Sequence, residues 1–363
     1  MPNGENYWNP YRWVPATQGQ LPRERPLYRH RCQGMAGRLT CSLTSLTPFL
    51  INDGQGKFIR SRKSNQPFIP ATSLKGNIRS LAELIGNAAV PFRNDKMDID
   101  SEHRLDRAAT GDGVGRQLDV AARTFGYLDG KKVFAGLIRF SDGILQGREP
   151  TPLNCTVAVG QPKSSHTAFY PGNRHRKFYH HNYGATTLTP PHPGIKQVSN
   201  VRPLPPGVEF KFRVDFENLR EEELALLLYC LALEESVAVT LSAQAVGGTT
   251  PVTLTGPLRH KLGNCKPHGG GSVHIKVDRM ELRGDPKERY RSVESAAAVF
   301  EGDAVRSEIE RRTQLIRGRN VPTMQHLRAM LIYAPDDPRA GNVNYPEYAW
   351  LNANSTTQLK PTL

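Results

Sequence analysis

VEFKFRVDFENLREEELALLLYCLAL, residues 208–233, places a strand directly before a helix. Val208, Phe210, Phe212, Val214 and Phe216 alternate with Glu209, Lys211, Arg213 and Asp215, the period-two pattern of a strand with one buried face. Glu221, Glu222 and Glu223 then fall in a first helical turn, where carboxylates complement the helix dipole. Leu224, Leu227, Leu228 and Leu231 give that helix its buried stripe.

Working outward, residues 38–46 alternate with Leu39, Cys41 and Leu43 on one face, a second half-buried strand. FIPATSLKGNIRSLAELIG follows a loop over 48–66; Ser73 reads as an N-cap and Leu74, Ile78, Leu81 and Ile85 recur at helical spacing, so a helix is expected over 74–85. A short strand is expected over 137–140, a hairpin from 237–241 and 252–254, and a last strand with Val273, Ile275 and Val277 on one face. Strand, helix, strand, strand, helix, strand is the split βαβ plan. The fold class is therefore α+β: a ferredoxin-like, RNA-recognition-like palm with long insertions and a C-terminal helical extension, helices being expected over 293–316 and 323–333.

The expected organisation is an N-terminal arm over 1–36, a palm over 37–282 and a helical extension and tail over 283–363. Insertions interrupt the palm near 87–135 and 150–206. The second insertion holds ten of the 28 prolines, which central strands do not tolerate, so it is expected to stand outside the core as a projecting element.

The 48 Lys and Arg against 34 Asp and Glu leave a net charge of +14, which points to a polyanionic partner and away from an acidic small-molecule enzyme. The five cysteines are scattered and form no CxxC pair, so a disulfide framework is not expected and a reducing, cytoplasmic setting fits. The longest apolar run, 224–233, is too short to span a bilayer, and the opening MPNGENYWNPYRW lacks a signal-peptide core; no membrane partner is expected.

Four segments carry chemistry. On the 74–85 helix, Lys75 and Arg79 are four apart beside Ser73 near a helix N-terminus, which reads either as a phosphate site or as a solvated basic face. In HKLGNCKPHGGGSVHI, Lys261, Lys266 and His268 supply donors, and Gly269, Gly270 and Gly271 let a backbone approach a ligand; the alternative is a flexible hairpin loop. NDGQGKFIRSRKS sets Lys57, Arg60, Arg62 and Lys63 beside Asp53, which reads as a turn former or as a group acting on an RNA backbone. GNRHRKFYHH interleaves Arg174, Arg176 and Lys177 with rings, a pattern suited to single-stranded nucleic acid. Cys155, His166, His175, His180 and His181 match no common zinc spacing, and no metal site is assigned.

These segments resemble the RAMP superfamily of CRISPR-associated proteins, nearest to the backbone subunits of type III effector complexes. NPYRWVP (9–15), FIPATSLKGNIRS (68–80), TFGYLDG with FAGLIRFSDG (124–143) and LGNCKPHGGGSVHI (262–275) carry the likeness, in the family's order. The resemblance implies several copies stacked along a guide RNA that is displayed to a target RNA. Lys75, Arg79 and the loop around 269–271 would grip the guide backbone. A hairpin thumb, for which 150–206 is the candidate, would wedge between nucleotides. It also implies that Asp53 could cut target RNA, by way of Mg²⁺. The other readings are a RAMP endoribonuclease that processes precursor guide RNA and an RNA-binding protein outside CRISPR systems.

Overall fold

Strand β1 (Met35–Ser45) runs through the middle of the main sheet. The computed structural model of the protein describes residues 8–17, 19–28, 32–90, 103–111, 115–129, 132–158, 176–181, 185–191, 198–243, 250–284, 298–334, 353 and 360–361. From β1 the chain leads to helix α1 (Ala71–Ile85), the short strands β2 (Ile138–Phe140) and β3 (Gly143–Leu145), strand β4 (Glu209–Leu219), helix α2 (Glu221–Ala232) and strand β5 (Ser272–Arg283). Two further helices, α3 (Gly302–Arg317) and α4 (Pro322–Leu331), follow. The sheet order is β5–β1–β4–β3, β2 also pairs with β4, and each of these neighbours is antiparallel. This mixed α/β arrangement is consistent with the ferredoxin-like plan.

One face of the sheet is apolar because the alternating residues stay in register. Leu39, Cys41 and Leu43 of β1 are flanked by Phe210, Phe212 and Val214 of β4 and by Val273, Ile275 and Val277 of β5, all buried. A register shift between Val277 and Arg279 inserts Asp278, so Met280 rather than Arg279 returns to the core. Helices α1 and α2 contribute Leu74, Ile78, Leu81 and Leu224, Leu227, Leu228, Leu231 to the same core.

Local details differ from the sequence reading. Helix α1 begins at Ala71, so Ser73 lies inside its first turn and is not its N-cap. Pro70 holds an extended ψ before the helix, and Asp142, next to β3, accepts the Ala71 N–H at 2.7 Å. A cap supplied from 71 residues away leaves no local signature. Helix α2 starts where expected: Glu223 accepts the Arg220 N–H at 3.0 Å. Its other oxygen accepts from the buried Arg123 at 2.6 Å. The helix expected from 293 starts only at Gly302, because Ala298–Glu301 adds a strand to β5 and Gly302 turns the chain with φ +56°.

The described parts of the 150–206 insertion do not stand clear of the body. Arg176–Tyr179 pairs with Tyr11–Val14 of the N-terminal arm, and Cys155–Ala158 pairs with Val198–Val201. Val157, Phe178, Leu188, Val201 and Leu204 belong to the main core. The insertion's described prolines lie outside its strands, and its described parts pack on the palm with the arm. The hairpin Gly126–Asp129/Lys132–Ala135 exposes a cross-strand apolar pair, Leu128 and Val133, at 66% and 60%. No described helix is long and apolar enough to cross a membrane.

The loop after β1 is also part of the core. Phe58 stacks on Phe210 with centroids 5.9 Å apart, and Phe49 meets both rings edge-on. Phe210→Ala is expected to lower unfolding free energy by ~3–5 kcal/mol in a denaturant titration, because it removes a fully buried ring and leaves a cavity beneath that loop.

Candidate nucleic-acid interface

The glycine-rich segment is a rigid turn packed against the loop after β1. Gly271 N–H donates to the Pro48 carbonyl at 2.9 Å and Asn264 N–H to the Leu50 carbonyl at 2.8 Å. A Cβ on Gly271 would lie 2.1 Å from the Leu262 carbonyl, and Gly269 and Gly271 have φ of +85° and +82°. Close internal packing thus accounts for glycine at 270 and 271. His268 is buried; its Nδ1 donates to the Thr189 carbonyl at 2.9 Å and its Nε2 accepts the Ala158 N–H at 3.2 Å, which fastens the insertion to this turn.

Arg79 is tied down as well. Its guanidinium donates to Glu83 at 2.7 Å and to the Gly126 carbonyl at 3.0 Å. Arg176 forms an ion pair with the same buried Glu83. Burial, with Arg79 close by, pushes Arg176 down to about 9. Arg79 ties α1 to Gly126, and Arg176 ties the insertion to α1. Lys75 lies partly exposed one turn earlier on α1. Arg174 lies outside the described residues, as do His166 and His175. His181 and Cys155 engage Ser272 Oγ and Thr187 Oγ1.

Asp53 forms its own turn: Oδ1 accepts the N–H groups of Gln55 at 2.8 Å and Lys57 at 3.1 Å, and the Gln55 bond leads in holding the carboxyl below its ordinary value. Arg60 donates to the Asn65 carbonyl and to Glu149, while Lys57, Arg62 and Lys63 are exposed. No group of three His, Cys, Asp or Glu side chains converges among the described residues. A divalent ion at Asp53 would take its remaining ligands from phosphate and water.

What the fold does assemble is a cleft of lysines. Lys177 from the insertion and Lys261 and Lys266 from the glycine-rich segment line a space of ≈ 80 Å³ together with Asn77 and Ser80 of α1 and Tyr179. Asn77 Nδ2 donates to the Lys261 carbonyl at 3.0 Å and so fixes α1 against this segment. Lys261, only 6% exposed, donates to Gly269 O at 3.2 Å and Ser272 Oγ at 3.1 Å. Burial, reinforced by Lys266, pushes Lys261 down to about 7 and Lys177 down to about 8; burial also lowers Lys266. Among the described residues no acidic side chain lines the cleft, so three ammonium groups share it without a counter-charge. That arrangement costs free energy in the empty protein and is relieved by an anion.

The sequence model of the RAMP superfamily matches residues 42–241. The chain belongs to the RAMP superfamily. The matched stretch runs from β1 to the strand after α2 and includes 68–80 and 124–143; the N-terminal 9–15 and the glycine-rich 262–275 lie outside it. No curated protein matches the chain.

Sequence reading flagged each lysine of the cleft but not their convergence. Asn77 and Tyr11, whose ring lies 3.6 Å from the Lys177 amine, went unnoticed because neither stands out by spacing. The cleft also leads to an expected acid sensitivity. His260, at its wall, is buried and bonded to the Cys230 carbonyl at 2.7 Å, and burial pushes it down to about 4. The unfolded chain therefore binds the extra proton first. Stability is intact above about pH 6.5 and is lost as pH falls towards 4, by up to about 3 kcal/mol for this group. Thermal unfolding in this range should show a shallower pH slope for His260→Gln than for the parent.

Proposed function

We propose that this RAMP protein is a guide-RNA-binding backbone subunit of a CRISPR-type ribonucleoprotein, holding single-stranded RNA by its phosphates and displaying it to a target RNA. The observation that carries the reading is the Lys177–Lys261–Lys266 cleft, three cations without a carboxylate beside α1. The net charge of +14 supports it, since backbone binding is mainly electrostatic and indifferent to sequence. The exposed Leu128–Val133 pair suits an apolar wedge between stacked bases better than the 150–206 insertion, whose described parts are packed. Cleavage is not part of the proposal: Asp53 is occupied with its own turn and is held further from useful basicity. The processing-nuclease alternative gains nothing from His181, His260 and His268, which are buried and bonded within the fold.

The test is RNA binding by fluorescence anisotropy across a salt series. Lys177→Ala with Lys266→Ala should weaken single-stranded RNA binding ~10-fold or more and lower the salt slope by about 0.7 for each phosphate that is no longer neutralised. A double variant that folds and binds RNA like the parent overturns the assignment. Arg79→Glu is not an equivalent test, because it breaks the Glu83 strut.

A further inference from the structure

Lys177 stands apart from the other amines of the cleft. Its nitrogen rests 3.6 Å from the Tyr11 centroid and 5.0 Å from that of Tyr179, and no hydrogen bond holds it among the described residues. Lys261, in contrast, is enclosed and directs its amine to Gly269 and Ser272. Lys177 is only partly buried. The charged and titratable groups that face it are Tyr11 from the arm, Tyr179 from its own strand, and His260, Lys261 and Lys266 across the cleft. None is acidic.

The aromatic faces favour the ammonium form, but burial beside Lys266 outweighs them, and Lys177 is pushed down to about 8. Near neutral pH a sizeable fraction of this amine is therefore an unprotonated nucleophile, whereas an ordinary surface lysine is almost wholly charged. The same cleft supplies Lys266, whose charge attracts an anionic reagent and holds it beside that amine.

We propose that Lys177 is a modification site, acylated by small acyl phosphates whose phosphoryl group docks on Lys266. The lone pair of Lys177 Nζ attacks the acyl carbon and an N–C bond forms. The C–O bond to the phosphoryl group breaks, inorganic phosphate departs with that electron pair, and the surplus amine proton passes to water. No electrons change oxidation state and no further reagent is needed. The product is a neutral amide that removes one of three positive charges and fills the cleft, so the modified chain binds polyanions less well. The inference uses the anion affinity on which the proposed function rests, but it does not require that the anion be RNA.

The experiment treats the full chain with acetyl phosphate near pH 7.5 and follows each lysine by peptide mass spectrometry. Lys177 is expected to acylate ~10-fold or more faster than the exposed Lys276, because the cleft gathers the acyl phosphate beside it. Inorganic phosphate should protect it, and Lys266→Gln should slow its reaction with acetyl phosphate more than with the neutral donor p-nitrophenyl acetate. Equal rates at Lys177 and Lys276 overturn the proposal. So does a rate that neither phosphate nor Lys266→Gln alters, and the wild-type phosphate arm stands even if the variant does not fold. Protection by phosphate but not by single-stranded RNA would support the modification site and overturn the RNA reading.

Discussion

The antiparallel pairing of β1 with β4 on one side and β5 on the other is the constraint on which everything else depends. It brings residues 35–45, 209–219 and 272–283 into one sheet and aligns their apolar faces. Helices α1 and α2 then have one place to bury their leucine stripes. Because β5 is pinned beside β1, the glycine-rich segment that precedes it must fold back on the loop that follows β1. The hydrogen bonds of Gly271 to Pro48 and Asn264 to Leu50 record that contact. The lysine cleft is a consequence: β5 fixes Lys261 and Lys266, while Asn77 joins their segment to α1.

The insertion is held to this frame by polar contacts that are expensive to break. Glu83 of α1 is buried with Arg79 and Arg176, and loss of either partner would leave a buried charge with poor compensation. His268 joins the glycine-rich turn to both Ala158 and Thr189. These ties place Lys177, from one side of the chain's longest proline-rich stretch, opposite Lys261 and Lys266. The cleft is therefore built on rigid elements, and its like charges are kept together by the fold rather than by attraction among themselves.

Candidate cations divide into two kinds once their partners are seen. Arg60, Arg79 and Arg176 are paired with Glu149 or Glu83 and serve the fold. Lys177, Lys261 and Lys266 face a space with no carboxylate among the described residues, which makes them the candidate site. Arginine's planar fork suits the buried ion pairs, whereas lysine's amine responds to burial by losing proton affinity. The proposed anion binding and the proposed amine chemistry at Lys177 both draw on that response.

The sequence by itself determined the element order and the inward faces. Phe210, Phe212 and Val214, Leu39, Cys41 and Leu43, and the stripes of α1 and α2 are all legible from spacing, because periodicity is a local property of strands and helices. The RAMP motifs over 68–80 and 124–143 were legible for the same reason, as runs of adjacent residues. Only the tertiary structure decided the cap on α1, which comes from Asp142, and the role of the glycines, which answer to the Leu262 and Pro48 carbonyls. It also packed the described parts of the proline-rich insertion against the palm. It separated Arg79, a strut, from Lys177, a group in the cleft. Each of these depends on partners distant in the chain. A residue's charge is written in the sequence, but whether a counter-charge stands beside it is settled only when the chain has closed on itself.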